Sequence, residues 1–368
     1  MNFDFSEDQK LLQKTAREYL EKHCPVATAR AVLEGGEPFA RRLWAEIGEL
    51  GWLATAVPTS FGGAGFGALE LCLLAYELGR ALAPVPFSST AYLAIEALLV
   101  AGSEEQKARF LPELATGTKI GTLAFVETPG RTPFRNLETR VEHGRLHGKK
   151  LVVPDAVAAD LAVVVAREGD RTVLAVAELA SDRVRRVPLA SIDPSRPVGS
   201  LEFRGASCEV LAESGEDVVA HVFDRAAALF AFEQLGGAER AFASTREYCL
   251  ERYAFGRPVA SFQAIKHRFA DLFVGLELAR SNAYYAAWAL AEAPEELRFA
   301  APNARIAASE VFELASTEMI QLHGGVGFTW EYDCHLFYRR AKALGLVLGS
   351  PRFWKDLLVR RLAGPADS

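Results

Sequence analysis

The chain has 368 residues, 50% of them hydrophobic and 24% charged, with 41 Lys plus Arg against 47 Asp plus Glu and a formal net charge of −6. That length holds two or three domains with a sizeable core, and the acidic balance, without a block of basic residues, argues against nucleic acid as a partner. The five cysteines, Cys24, Cys72, Cys208, Cys249 and Cys334, are scattered and never form a C-x-x-C pair, which argues against a disulfide framework or zinc site and points to reduced thiols in a cytoplasmic protein.

The opening "MNFDFSEDQKLLQKTAREYL" has acidic residues where a signal peptide needs a basic start. No run reaches the ~18 apolar residues of a membrane span, so no integral membrane association is expected. Leu11, Leu12, Ala16, Tyr19 and Leu20 recur at helical spacing behind a Ser6 cap with Glu7 after it, and "ALELCLLAYELGRALAP" repeats the pattern before Pro84. Residues 1–120 are expected to form a helical domain. Within it "VPTSFGGAGFGAL" is glycine-rich but follows no strand, so it reads as a flexible connection beside a ligand pocket, not as a dinucleotide fingerprint.

From Gly121 the pattern shifts to short β-branched runs such as "GTLAFVE", "DLAVVVARE" and "RTVLAVAEL", separated by turn residues. They predict a small antiparallel β domain over 121–216. Helical periodicity returns near Val218, where Phe223, Ala227, Phe230, Ala231 and Gln234 share a face, and it continues to about Leu362 with breaks at "FGRPVASF", "EAPEEL" and "GGVGFTWEYD". Residues 217–368 are therefore a second helical domain, and the fold class is α+β in the order α, β, α.

The break "HGGVGFTWEYD" carries the chemistry. Its glycines let the backbone approach a ligand closely, and a carboxylate packed among aromatics, Glu331 between Trp330 and Tyr332, is expected to lose water and become a stronger base. The alternative for such a carboxylate is an acid favoured by a helix N-terminus. Glu233, on an apolar helix face, reads as a buried acid held by a basic or amide partner. His323 and His335 read as hydrogen-bonding fixtures and not as metal ligands.

"ERYAFGRPVASFQAIKHRFADL" (Glu251 to Leu272) and "QLHGGVGFTWEYDCHLFYRRAK" (Gln321 to Lys342) resemble the paired C-terminal signatures of the acyl-CoA dehydrogenase family. "ELGWLATAVPTSFGGAG" and "GSEEQKARFLPELATG" in the first domain are similar to that family as well. The resemblance implies an N-terminal helical domain, a middle β domain and a C-terminal four-helix bundle, with FAD lying between subunits. It assigns Arg252, Phe255 and Gln263 to the pyrophosphate and adenosine side of the cofactor, a role that suits the bidentate, always-ionised guanidinium of Arg252. Gln321, Gly324 and Gly325 match the family's Q-x-x-GG turn, which passes over the cofactor of a neighbouring subunit and so implies an oligomer.

The resemblance also places Glu331 at the position of the family's catalytic base, seven residues after Gly324. It would take the pro-R α-proton of an acyl-CoA thioester while the β-hydrogen passes as hydride to the flavin N5, with the Glu331 N–H among the donors to the thioester carbonyl. Electron-transfer flavoprotein is the implied acceptor. A few members carry the base on an earlier helix, at a site that falls here on Ala226, which cannot serve. "RRAK", Arg339 to Lys342, matches the family's R-D-A-K and implies a structural ion pair.

Three stretches depart from the family. "FVETPGRTPFRN" (Phe125 to Asn136) replaces T-E-P-x-x-G-S-D; "KKLVVPDA" replaces K-x-W-I-T/S-N, putting Val152 and Pro154 at the flavin contacts; "VLGSPRF" (Val347 to Phe353) replaces Y-E-G-T-S. Proline supplies neither an N–H nor a hydroxyl, so that wall must differ. The departures resemble divergent bacterial members that act on steroid-type or cyclic acyl-CoAs, some of them α2β2 assemblies of unlike subunits. The alternatives to a self-sufficient homo-oligomer, dimer or tetramer, are therefore a subunit whose flavin site a partner completes, and a flavin oxidase or monooxygenase relative. The alanine-rich stretch Leu229 to Ala243 further suggests room for a wide substrate.

Overall fold

The computed structural model describes residues 5–128 and 137–364. Helices come first: α1 (Glu7–His23), α2 (Val26–Gly35), α3 (Arg41–Glu49), α4 (Ala68–Arg80), α5 (Glu96–Ala101) and α6 (Glu104–Ala115). Strands β1 (Gly121–Ala124), β2 (Arg140–Glu142), β3 (Arg145–Pro154), β4 (Leu161–Glu168), β5 (Arg171–Glu178), β6 (Val184–Leu189), β7 (Val198–Ser207) and β8 (Glu209–Val210) follow. The chain then returns to helix with α7 (Glu216–Glu251), a small hairpin of β9 (Tyr253–Ala254) and β10 (Arg257–Pro258), α8 (Gln263–Glu292), α9 (Pro294–His323), α10 (Cys334–Leu346) and α11 (Pro351–Ala363).

Local signals explain the helix starts. Ser6 caps α1, but its capping-box partner is Gln9 and not the adjacent Glu7, because only the third helical residue reaches back to the cap N–H. Ser103 and Gln106 repeat the device at α6.

The chain divides into two compact units, one of residues 1–34, 72–83 and 227–368, the other of 35–71 and 84–226. In the second, the sheet runs β6-β7-β3-β2-β4-β5-β8 with β1 beside β4. Its ladders are antiparallel as expected except for β1–β4 and β2–β4, which are parallel. β4 can run parallel to β1 because β2 and β3 intervene and supply the long crossover that parallel pairing needs. The central β4 and β5 bury six consecutive residues each, so they read as continuous apolar runs without alternation.

In the other unit, α4 and α7 pack backbone against backbone. A Cβ on Gly79 would lie 1.9 Å from the Glu233 carbonyl oxygen, and one on Gly236 would lie 1.9 Å from that of Tyr76. A Cβ on Gly237 would strike the Phe312 ring at 2.5 Å. The small residues of Leu229 to Ala243 therefore serve close helix packing, which corrects the expectation that they make room for substrate. Beneath them Arg305, fully buried on α9, donates to Gln234 Oε1 and to the Leu344 carbonyl. Burial pushes its guanidinium down to about 9, against the pull of the Glu233 carboxylate. Among the described residues no helix is long and apolar enough to cross a membrane.

Candidate active site

The segment after α7 is built around a tight hairpin. Phe255 and Gly256 both take positive φ, 52° and 77°, the pattern of a two-residue turn matching the twist of its strands. Phenylalanine tolerates that conformation poorly, so its place there is a strained one. The residue is 96% exposed, with the Phe262 ring edge-on to its own at 6.4 Å. The Arg252 carbonyl accepts from Val259 N–H at 2.8 Å, closing the base of the hairpin and leading the chain into α8 at Gln263.

α9 ends where Gly324 adopts φ 65°, ψ −141°, a conformation that suits glycine, and a short 3-10 turn over Gly324–Phe328 carries the chain away. The last side chain of α9, His323, stacks on Tyr248 at 4.1 Å, and its Nδ1 lies 2.7 Å from the Met319 carbonyl. Burial holds its imidazole below the ordinary value, against the opposing hydrogen bond to Met319.

Between hairpin and turn lies a cleft of about 650 Å³, lined by Tyr248, Arg252, Arg268, Gln321, Gly324 and Gly325 among others. Four of the residues assigned to the cofactor, Arg252, Gln321, Gly324 and Gly325, thus meet in one concavity. Phe255 and Gln263 do not line it; they stand exposed on the hairpin tip and at the start of α8, next to the lining residues Ala254 and Ala264. Arg268 was not singled out in the sequence. It lies five positions past Gln263 on the same helix and is held by Glu318 at 2.8 Å, so the basic run "KHR" was the available signal.

The lining of this cleft suits an anionic ligand. A Cβ on Gly324 or Gly325 would meet nothing within 4 Å, so packing does not demand these glycines and their bare backbone leaves the cleft open to a ligand. Among the described residues the Arg252 side chain makes no hydrogen bond or ion pair, which leaves its fork available to an anion. The β3 strand offers less. Val152, at the position of the family's tryptophan, takes φ 52° and is 45% exposed beside a bulge between Lys150 and Val153. Pro154 has no N–H to give, and its carbonyl already accepts from the Thr122 hydroxyl at 2.7 Å. Of the "FVETPGRTPFRN" stretch, residues 129–136 lie outside the described residues.

Glu331 follows the glycine turn and is exposed. The expected desolvation by its aromatic neighbours is not met within this chain, because both rings are engaged elsewhere. Trp330 stacks on His335 at 4.3 Å and donates its indole N–H to Glu34 Oε1 at 2.6 Å. Tyr332 packs edge-on to Tyr248 and His323, at 6.3 and 6.1 Å, against the wall of the cleft. Burial, with the nearby charge of Arg30, holds His335 below the usual imidazole range. The carboxylate therefore sits between two anchored aromatics, one of them seated on cleft-lining residues. The described position of Ala226 is fully buried in α7. At "RRAK", Lys342 pairs with Glu313 on α9, while Arg340 is buried and donates to the carbonyls of Leu82 and Ala83.

Residues 6–118 match the acyl-CoA dehydrogenase N-terminal domain and residues 213–363 the acyl-CoA dehydrogenase C-terminal domain. The acyl-CoA dehydrogenase IpdE2 of Mycobacterium tuberculosis is 35% identical over 350 residues, covering 94% of each chain. Among solved structures, a chain of the ChsE4-ChsE5 complex from Mycobacterium tuberculosis superposes with a TM-score of 0.91 at 28% identity over 99% of each chain. The Tcur3481-Tcur3483 steroid ACAD G363A variant gives 0.90 at 28% identity over 98% of this chain and 99% of that one. With both terminal domains matched and such a relative aligned along nearly its whole length, this chain belongs to the acyl-CoA dehydrogenase family, whose members are FAD-dependent enzymes.

Proposed function

We propose that the protein catalyses FAD-dependent α,β-dehydrogenation of an acyl-CoA thioester to the 2-enoyl-CoA. The observation that carries this reading is Glu331, an exposed carboxylate at the end of the glycine turn, fixed between two anchored aromatics beside the cleft of Arg252, Gly324 and Gly325. Glu331 takes the α-proton as the Cα–H electron pair becomes the new C=C bond, and its backbone N–H supports the thioester oxygen as charge develops there. Bound FAD supplies the two-electron oxidant for the β-hydrogen. Arg252, Gln321, Gly324 and Gly325 would hold the diphosphate half of a neighbouring subunit's cofactor, with Phe255 and Gln263 on its adenosine side.

The names of the relatives, among them a steroid ACAD, favour a bulky or steroid-type acyl group. Electron-transfer flavoprotein is the fitting acceptor. The five cysteines, all free thiols, support a reducing, cytoplasmic setting.

A second reading is favoured by β3. With Val152 and Pro154 in place of the family's aromatic and hydroxyl contacts, this chain is one subunit of an α2β2 assembly whose unlike partner completes the flavin site. The ChsE4-ChsE5 relative, a complex named for two chains, is in keeping with it.

One experiment separates the two. The protein is purified alone, its visible flavin absorbance recorded, and the flavin bleached anaerobically with butyryl-CoA, isovaleryl-CoA and cholyl-CoA. A yellow protein bleached by one of these, with the bleaching rate lowered ~10³-fold in Glu331→Gln, supports the self-sufficient dehydrogenase. A colourless protein that takes up no added FAD supports the subunit of a heteromer. Bleaching undiminished in Glu331→Gln removes Glu331 from the chemistry.

A further inference from the structure

We infer that Arg30, on α2, is a positioning residue for Glu331, holding the two ends of the segment that carries the carboxylate. The inference rests on the reading of Glu331 as the base and adds the element that sets its place.

Arg30 donates through Nε at 3.1 Å and Nη2 at 2.6 Å to Asp333 Oδ1, and through Nη1 at 2.7 Å to the Trp330 carbonyl. One planar guanidinium thus holds the residue before Glu331 and the residue two after it. Glu34, one helical turn along α2, receives the Trp330 indole N–H at 2.6 Å and lies 3.4 Å from Arg30 Nη1. Positions 30 and 34 share a helix face, so α2 offers a matched pair of charges to a single stretch of chain.

Asp333 is the N-cap residue of α10, yet its side chain makes no capping bond. Aspartate is among the preferred N-caps, so its turn toward Arg30 forgoes the usual local contact for a distant one, 303 positions away in sequence. A lysine at position 30 has a single nitrogen and cannot span carbonyl and carboxylate in one plane. The far side of the segment is set by Tyr332 on Tyr248 and His323, leaving Glu331 little freedom of backbone between the two supports. Positioning matters to this reaction because proton removal requires the carboxylate within hydrogen-bond reach of Cα–H.

The test compares wild type with Arg30→Ala, Arg30→Lys and Asp333→Asn, using whichever of butyryl-, isovaleryl- or cholyl-CoA bleaches the flavin, in the protein alone or with its co-purifying subunit. Per bound flavin, Arg30→Ala should lower kcat by ~30- to 100-fold with KM changed by less than about threefold, and should raise the isotope effect of an α-deuterated substrate as proton removal becomes limiting. Arg30→Lys and Asp333→Asn should fall between. Without substrate, amide hydrogen exchange should quicken over residues 326–333 in Arg30→Ala and stay unchanged in the β domain.

A kcat per bound flavin within about twofold of wild type in all three variants, while Glu331→Gln is inactive, overturns the positioning role and leaves the base assignment standing. Exchange that rises throughout the molecule also overturns it, since Arg30 would then be a general structural support. Full activity in Glu331→Gln overturns the base assignment itself, and the inference with it. Should Arg30→Ala fail to fold, the Lys and Asn variants carry the same measurements.

Discussion

Two ion pairs hold backbone in place in this molecule, and they work in opposite surroundings. Arg30 and Asp333 keep side-chain exposures of 20% and 43%, whereas Lys150 is fully buried against Glu127, which itself is 13% exposed, at 2.7 Å. Glu127 also accepts from the N–H groups of Glu138 and Thr139, at 2.7 and 2.9 Å, so it ties β3 to the chain leading into β2. Water screens the first pair and weakens its share of stability, but three directed hydrogen bonds still define a geometry. The second pair lies where breaking it strands a charge, so its partners matter to stability. The half-exposed pair fixes the place of a loop segment; the buried one fixes a strand.

The largest effect expected from this contrast is at Glu127. Glu127→Ala leaves Lys150 buried without its acceptor and should lower unfolding stability by about 3 kcal/mol in urea titrations. A loss comparable to that of Arg30→Ala, for which under about 1 kcal/mol is expected, would erase the distinction between the two pairs.

The buried pair should also give a pH signature. Burial, opposed by the charge of Glu127, pushes the Lys150 ammonium from its usual 10.5 down to about 8. Between those values the unfolded chain binds more protons than the folded one, so this group adds stability as pH rises from 8 to 10.5. Lys150→Met removes that slope. The wild-type melting temperature should therefore climb relative to the variant across this window, and parallel curves would place Lys150 in contact with water.

A smaller effect is expected at the left-handed Val152 two residues along β3. Glycine has no β-branch to strain at φ 52°, so Val152→Gly should raise stability by about 1 kcal/mol by thermal unfolding. A fall instead would show that the half-exposed valine side chain has a packing role that offsets its backbone strain.

Much of the fold was legible because its signals are local. The Ser6 and Ser103 caps, the β-branched runs of β4 and β5, and the breaks at "FGRPVASF" and "GGVGFTWEYD" each act within a few residues, and the elements begin and end near them. The parallel pairing of β1 with β4 was not legible, since register across some forty residues has no short-range marker. The alanines and glycines of α7 were misread for the same reason. A small residue in a helix equally suits an open pocket or a close neighbour, and only the approach of α4 at Gly79 and Gly236 distinguishes them.

At the candidate site the sequence by itself determined the family pattern, the glycines of the turn, the carboxylate after it and the arginine before the hairpin. Tertiary structure alone decided what those residues meet. It brought Arg252 and Gly324 to one cleft, left Phe255 and Gln263 outside it, engaged Trp330 with His335 and Tyr332 with Tyr248, and set Arg30 against a segment three hundred residues distant. The physical reason is range: backbone preference and capping are settled among neighbours in sequence, while directed hydrogen bonds between side chains exist only once packing has brought their elements together.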